Sequence, residues 1–138
     1  GKPPRLVFLT LEAERRLARG ISRRGRPRGI SAPAAGVLFH VAAAPGTTTG
    51  EVASALHGSA AGTSGLLSRM EQSGLITRSP DPADRRTIRV ELAPAGEDAM
   101  ADIREAITDL NALITDGFSA EELETVALWL LHVSRSVG

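Results

Sequence analysis

The sequence predicts a mainly α-helical fold with one small β-hairpin. Along most of the 138 residues, apolar side chains recur at steps of three and four, which is typical of helices packed on one face. The pattern changes to alternation in residues 75–78 and 87–92, which flank the polar segment 81–86. Helices followed by a hairpin with arginines at its tip are typical of a winged helix-turn-helix, here with long helices at both ends of the chain.

Hydroxyl residues and helix breakers mark where the helices begin and end. The first helix spans about residues 5–24. Later helices begin behind residues with a side-chain oxygen suited to an N-cap: Ser31, Thr48, Ser59 and Ser119. Glu51 and Glu122 follow Thr48 and Ser119 at the third position, which predicts two capping boxes. Gly74 fits the position after the end of one helix, and Pro94 fits the first turn of the next.

Two short helices separated by a tight turn at His57-Gly58 predict a helix-turn-helix. The second, over about residues 59–73, is the predicted recognition helix. Small residues occupy its expected exposed N-terminal positions: Ala60, Ala61, Gly62, Thr63, Ser64, Gly65 and Ser68. Few of these side chains make the bidentate contacts that discriminate strongly between bases. We therefore expect sequence preference to depend on the shape of the groove and the spacing of two half-sites.

The formal net charge is zero, but the charges are separated along the chain. Residues 1–90 carry 14 cations and six anions, and the remainder carries two cations and ten anions. Such a separation is expected when one face of a protein meets phosphate and another faces solvent. Accidental patchiness of an arginine-rich composition is the alternative.

Several function classes lack their characteristic residues. There is no cysteine, which excludes disulfides, thiolate catalysis and cysteine zinc sites. His40, His57 and His132 lack metal-site spacing, and no nucleophile–base set or phosphate-binding glycine loop occurs. We therefore expect no metal, no cofactor and no enzymatic activity. No apolar run has the length of a membrane span and no export signal is present, which predicts a cytoplasmic protein without a membrane partner.

Three segments follow one another in a characteristic order: 70–78, 81–86 and 90–96. They are similar to the MarR (multiple antibiotic resistance regulator) family pattern Leu-Glu-x-x-Gly-Leu-Ile-x-Arg, Asp-x-x-Asp-x-Arg and Val-x-Leu-Thr-x-x-Gly. The departures are Met70 in place of Leu and Ala93 in place of Thr, which removes an N-cap. The resemblance extends from the first helix to the last. It implies a dimeric winged helix-turn-helix transcription factor.

The resemblance also implies roles for single residues. In the family, the arginine at the position of Arg86 enters the minor groove of DNA, and the aspartate at the position of Asp84 holds it. A narrow minor groove concentrates negative potential, and an extended guanidinium fits it. The alternative is a local ion pair of Asp84 and Arg86 on a solvated turn. The predicted DNA-binding residues are Ser59, Thr63, Ser64, Ser68, Arg69, Arg78, Asp84, Arg85 and Arg86.

Some of these assignments have a competing structural explanation. Arg69 and Arg78 are predicted phosphate contacts, but either residue is also suited to an ion pair with Glu71. Phe39 and His40 lie on the second helix, where the family commonly places a ligand pocket. A histidine there suits an anionic aromatic effector, and a packed or hydrogen-bonded histidine is the alternative.

We expect a single MarR-like domain over residues 1–138. Helices in about 1–30 and 97–138 are expected to form a dimer interface, since long apolar seams continue behind the hairpin, and about 31–96 to form the winged helix-turn-helix lobe. The predicted protein is a homodimeric repressor that binds a pseudo-palindromic operator in double-stranded DNA and is released by a small-molecule effector. A winged helix that binds another protein instead of DNA is the alternative, against which the wing arginines and the charge separation argue.

Overall fold

The computed structural model describes residues 1–56 and 58–138, without the side chains of Arg26 and Ala60. This part of the chain contains six α-helices, one 3-10 turn and one two-stranded antiparallel sheet. In order they are α1 (Leu6–Gly25), the 3-10 turn (Arg26–Arg28), α2 (Ala32–Ala43), α3 (Thr49–Ala55), α4 (Ala60–Gln72), β1 (Ile76–Pro80), β2 (Ile88–Leu92), α5 (Pro94–Thr115) and α6 (Ala120–Ser136). The predicted mainly helical fold with a hairpin is confirmed. The chain forms two compact units, 1–106 and 107–138.

Side-chain caps begin the helices at the predicted positions. The hydroxyls of Ser31 and Ser59 accept hydrogen bonds from backbone N–H groups in the first turns of α2 and α4. The predicted capping box at α6 is confirmed: the Ser119 hydroxyl accepts the Glu122 N–H at 3.1 Å, and the Glu122 carboxylate accepts the Ser119 N–H at 2.9 Å. The carboxylate acts as an acceptor, so the pKa of Glu122 is lowered.

The capping box predicted at α3 is wrong in its second half. The Thr48 hydroxyl does accept the Glu51 N–H at 3.1 Å. The Glu51 carboxylate, however, accepts the Thr48 hydroxyl at 3.2 Å and the Thr47 hydroxyl at 3.4 Å. It therefore lies towards the side chain of Thr47 and does not accept the Thr48 backbone N–H. The predicted turn at His57-Gly58 falls partly on His57, which lies outside the described residues.

Gly74 directs the chain from α4 into the hairpin. Its φ of 76° is in the left-handed region, as predicted for the residue after a helix, and the Leu75 N–H donates to the Met70 carbonyl at 3.0 Å. Strands β1 and β2 pair from Ile76 with Leu92 to Pro80 with Ile88. The first strand begins one residue later than predicted and extends to Pro80, because an Asp81 N–H bond to the Thr87 carbonyl (2.8 Å) closes the loop only beyond that point. We call β1, β2 and this loop the wing.

The core of the first unit lies among α2, α3, α4, the wing and the start of α5. Its deeply buried apolar side chains include Val37, Leu38, Val41, Val52, Leu67, Met70, Ile76, Val90 and Met100. At Gly96 the backbone of α5 approaches the start of β1 so closely that a Cβ atom would overlap the Leu75 carbonyl oxygen. Glycine is therefore required where α5 leaves the wing, which explains that element of the sequence pattern in physical terms.

Large apolar side chains remain exposed on the terminal helices. In the first unit they lie along the start of α1: Leu6, Val7, Phe8, Leu9 and Leu11. In the second unit they lie on the end of α5, the following turn and α6: Leu113, Ile114, Phe118, Val126, Leu128, Leu130, Leu131 and Val137. None of the helices in the described part of the chain is long and apolar enough to cross a membrane.

Candidate nucleic-acid interface

Helices α3 and α4 form the predicted helix-turn-helix, and α4 has a buried and an exposed side. Leu67 and Met70 are buried, whereas Ser64 and Arg69 are exposed. The prediction that Thr63 is exposed is wrong, since only 6% of this residue is accessible. Thr63 lies one turn before Leu67 on the same face of the helix, so its side chain turns towards the core. The side chain of Ala60, also predicted to be exposed, is not described.

The middle of α4 is joined to β1 by Arg78. Its guanidinium donates to the Glu71 carboxylate at 3.0 Å and to the Ser68 hydroxyl at 3.2 Å, and its backbone N–H donates to the second Glu71 oxygen at 3.1 Å. The Arg78 hydrogen bonds hold the pKa of Glu71 below its ordinary value. The ion-pair alternative for Arg78 is therefore the arrangement in this structure, and Ser68, predicted to be exposed, is half-buried beside it.

Arg69, the one cation of α4, differs from Arg78 of β1 in that it forms no ion pair with any residue that the structure describes. In the described part of the chain no carboxylate lies within ion-pair distance of it, and its side chain is exposed. Ser59 lies at the N-cap of the same helix, where its hydroxyl is occupied by the Gly62 N–H at 3.0 Å. The exposed side chains of α4 that are able to meet a ligand are thus few and small, with one cation at the far end.

The wing loop is ordered by two aspartates. Asp81 accepts the Ala83 N–H at 2.8 Å through one oxygen and the Arg89 guanidinium at 2.7 and 2.9 Å through the other. Asp84 accepts the backbone N–H of Arg86 at 3.1 Å and the Thr87 hydroxyl at 3.3 Å. The bond from Ala83, and secondarily those from Arg89, keep the pKa of Asp81 below its ordinary value.

Arg86 projects from this loop into solvent. Its side chain is 94% exposed, and its Nε lies 3.5 Å from the Asp84 carboxylate. That distance is at the limit of a hydrogen bond, so Asp84 restrains the backbone of Arg86 more firmly than its guanidinium. Arg85 is likewise exposed. Both cations of the wing tip are thus accessible to an external anion.

Arg89 has a role that the sequence did not reveal. Its Nη1 donates to the Gly46 carbonyl at 2.8 Å, while Nε and Nη2 donate to Asp81. Gly46 lies in the loop 44–48 between α2 and α3, which we call the α2–α3 loop. The available signal was the placement of opposite charges on the two sides of the hairpin loop, at Asp81 and Arg89.

Phe39 and His40, the predicted effector residues, are both half-buried on α2. The Nε2 of His40 lies 2.9 Å from the hydroxyl of Thr47, which is itself only 3% exposed. If the Thr47 hydroxyl donates to Glu51, His40 must supply the hydrogen of its own bond to Thr47. One ring nitrogen of His40 is therefore engaged within the fold.

A cavity of about 280 Å³ lies where α3, α4 and the wing meet. Thr49, Thr63, Ser64 and Arg78 supply its polar lining, and Leu67 and Ile88 are among its apolar residues. It is thus bordered by the recognition helix and the wing together. The structure brings Thr63, Ser64, Ser68 and Arg78 into one neighbourhood, whereas Arg85 and Arg86 lie at the wing tip.

Comparison with known proteins gives concordant matches. A family model described as "MarR family" matches residues 28–87, which contain the helix-turn-helix and most of the wing. An uncharacterised HTH-type transcriptional regulator of Bacillus subtilis (strain 168), YsmB, is 34% identical over 82 residues. That match covers 59% of this chain and 54% of the relative, so it spans only about half of the length of the curated protein.

Solved structures match nearly the whole chain. The crystal structure of a MarR family transcription regulator has a TM-score of 0.86 at 27% identity, covering 94% of this chain and 86% of that chain. A mutant MarR from E. coli, crystallised in complex with operator DNA, has a TM-score of 0.85 at 24% identity, covering 93% of this chain and 92% of that chain.

The order of helices and the two-stranded wing are those of a winged helix-turn-helix regulator. The family match over 28–87 and the solved structures indicate the same class of protein. The family consists of transcriptional regulators, which agrees with the expectation that the chain is not an enzyme. The chain is similar to the MarR family of winged helix-turn-helix transcriptional regulators, in residues 28–87 by its family model and over nearly its whole length by its fold.

Proposed function

We propose that the protein is a homodimeric transcriptional regulator that binds a pseudo-palindromic operator in double-stranded DNA and acts as a cytoplasmic repressor. The observation that carries this proposal is the pair of exposed wing-tip arginines, Arg85 and Arg86, on a loop ordered by Asp81 and Asp84. A preformed loop presents a guanidinium to an anion at a lower entropic cost than a flexible loop. The E. coli MarR complex with operator DNA supports a nucleic acid as that anion.

The proposed geometry assigns each element a groove. Helix α4 enters the major groove, with Ser59, Ser64 and Arg69 towards the duplex, and Arg86 enters the adjacent minor groove. Arg85 contacts phosphate. Ser68 and Arg78 contribute through the bond that joins α4 to β1, since their polar groups are already paired. Thr63 acts from beneath the surface, where it lines the cavity next to Ser64.

A dimer is supported by the exposed apolar side chains of the terminal helices. Monomeric proteins rarely expose large contiguous apolar patches, whereas the first half of α1 and the middle of α6 each expose several large apolar side chains. We therefore assign about 1–30 and 97–138 to dimerisation and about 31–96 to the DNA-binding lobe of one MarR-like domain. Two lobes would then read half-sites about 10–10.5 base pairs apart.

The proposal includes release from the operator by a small-molecule effector. An anionic aromatic ligand near Phe39 would gain a cation if it bound the protonated form of His40. Because His40 already contacts Thr47, such a ligand would act on the α2–α3 loop, which also bonds to the wing. Binding there would favour a dimer whose lobe spacing no longer fits the operator. A His40→Ala variant that keeps both operator affinity and its full response to the ligand would contradict this assignment.

The first experiment is selection of duplexes from a randomised pool, followed by fluorescence anisotropy of the enriched sequence over a salt series. We expect a palindrome and an affinity that falls steeply with salt, since counterions are released from phosphates. Arg86→Ala should weaken binding by at least about tenfold, equivalent to about 1.4 kcal/mol. Arg15→Ala is a suitable control, because this exposed arginine lies on α1 and pairs with Glu12 at 2.6 Å.

Absence of duplex binding at low salt would overturn the proposal. In that case the alternative of a winged helix that binds another protein takes its place. Binding that is equally tight for every duplex and unaffected by Arg86→Ala would instead leave only a nonspecific electrostatic contact.

A further inference from the structure

An isolated two-stranded hairpin is marginally stable in water, so the wing requires contacts with the rest of the first unit to keep one position. The α2–α3 loop provides them. The Val90 N–H donates to the Thr47 carbonyl at 2.8 Å, and Thr48 forms an isolated β-bridge with Arg89. These bonds hold the first half of β2 but not the wing loop that precedes it.

The Arg89 side chain connects the α2–α3 loop to the wing loop. One side of its guanidinium donates to the Gly46 carbonyl at 2.8 Å, and the other donates to the Asp81 carboxylate at 2.7 and 2.9 Å. Asp81 is the first residue of the wing loop, and its other oxygen fixes the Ala83 N–H at 2.8 Å. A charged, three-bond bridge of this kind is both stronger and more directional than a neutral contact.

The same path continues to Arg86. The Asp84 N–H donates to the Asp81 carbonyl at 3.2 Å, and Asp84 accepts the backbone N–H of Arg86 at 3.1 Å. On the opposite side, the α2–α3 loop is held through Thr47, whose hydroxyl contacts His40 at 2.9 Å and Glu51 at 3.4 Å. A continuous series of hydrogen bonds therefore joins α2 and α3 to the exposed wing tip.

From this geometry we propose that Arg89 is a positioning residue: it fixes the wing tip against the α2–α3 loop and thereby places Arg86 for the minor groove, without contacting DNA itself. The inference rests on the proposed DNA-binding function. It separates two arginines that lie three residues apart, one exposed and available to the ligand, the other committed to Asp81 and Gly46.

Asp81→Asn provides the sharpest test, because an effect of net charge and a loss of wing positioning would change DNA affinity in opposite directions. Removing an anion from a DNA-binding surface should tighten binding if only net charge matters. If Arg89 positions the wing through Asp81, Asp81→Asn should weaken binding to the enriched duplex, by about fivefold or more. Arg89→Gln should weaken it by about tenfold or more. Arg85→Gln is the matched control for loss of one wing cation and should have a smaller effect.

A double-mutant cycle shows whether Arg89 acts through Arg86. In the Arg86→Ala background, Arg89→Gln should cause little further loss of affinity, because the group that it positions is already gone. Additive losses would overturn the proposal, as they would indicate an independent phosphate contact. Tighter binding by Asp81→Asn would overturn it too.

Hydrogen exchange of the wing amides gives a readout that does not need DNA. Residues 81–90 should exchange faster in Arg89→Gln than in wild type and Arg85→Gln, with α4 unchanged as evidence of intact folding. Unchanged exchange of the wing would overturn the inference whether or not the wild type binds DNA. Failure of the wild type to bind any duplex would instead overturn the proposed function, with the exchange data still deciding whether Arg89 fixes the wing.

Discussion

Asp81 lies at the start of the wing loop and Asp84 lies in its middle, and each accepts hydrogen bonds from the backbone as well as from an arginine. They differ in what the arginine does. The Arg89 guanidinium lies 2.7 Å from the Asp81 carboxylate and is held beside the α2–α3 loop. The Arg86 side chain is 94% exposed, and its Nε lies 3.5 Å from the Asp84 carboxylate, a longer and weaker contact. The same ion-pair chemistry therefore fixes one side chain and leaves the other available for a ligand.

Acid should weaken the wing through Asp81. Its pKa in the folded protein is below the ordinary 3.8, so its contribution to stability is complete above that value and is lost as the pH falls through the lowered pKa. We expect thermal melts at neutral pH to show wild type more stable than Asp81→Asn, with the difference closing at the acid end of the series. A difference that is independent of pH would contradict the ionised-carboxylate explanation.

Gly96→Ala should destabilise the fold by about 1–3 kcal/mol, because the added Cβ would overlap the Leu75 carbonyl oxygen where α5 meets β1. Urea unfolding would measure the change. Gly50→Ala is the matched control: the new Cβ would have only the Thr48 hydroxyl at 3.9 Å nearby, and alanine in α3 should stabilise by up to about 1 kcal/mol. Equal effects at the two positions would argue against the close approach at Gly96.

At the level of elements, α4 combines a small-residue exposed side with an internal connection to β1. Ser64 is exposed, Ser68 is half-buried, and the Ser68 hydroxyl is already bonded to Arg78. Such a surface offers little hydrogen-bonding capacity for base edges. It does permit close approach of the helix to the groove, so that the shape of the duplex and the position of the wing carry more of the recognition.

This arrangement predicts that single serine substitutions have modest effects. Ser64→Ala should reduce operator affinity by less than about fivefold and leave the enriched palindrome unchanged. Inserting about five base pairs, half a helical turn, between the half-sites should instead reduce binding to the nonspecific level, because the two lobes would face opposite sides of the duplex. Complete loss of sequence preference in Ser64→Ala or Ser68→Ala would show that direct base contacts dominate.

At the level of the whole molecule, exposed apolar residues on the terminal helices argue for self-association. Val126 and Leu130 lie four residues apart on one face of α6, and both are about half exposed. Changing both to Glu should shift the protein to a 14.4 kDa monomer in light scattering and weaken palindrome binding by about a hundredfold, since the second half-site is no longer linked. Ala127→Glu changes an exposed neighbouring residue and controls for added charge. If the double variant and the Ala127→Glu control are both dimers, the assignment of α6 to the dimer interface is contradicted.

Local signals allowed much of the fold to be predicted. The N-caps Ser31, Ser59 and Ser119 and the left-handed Gly74 were recognisable because each satisfies backbone groups within a few residues of itself. The candidate site was predictable where its residues follow one another in the wing loop. Its DNA-binding assignments remain predictions.

The order of elements, the hairpin and the family pattern can be read from the amino-acid sequence, because turn chemistry and hydrophobic periodicity act over short distances along the chain. Which polar groups are free for a ligand depends instead on the folded arrangement of distant segments. The burial of Thr63, the pairing of Arg78 with Glu71 and the bridge from Arg89 to Gly46 depend on segments brought together by folding. Gly46 and Arg89 are 43 residues apart, and no local pattern specifies that a guanidinium will meet a distant carbonyl.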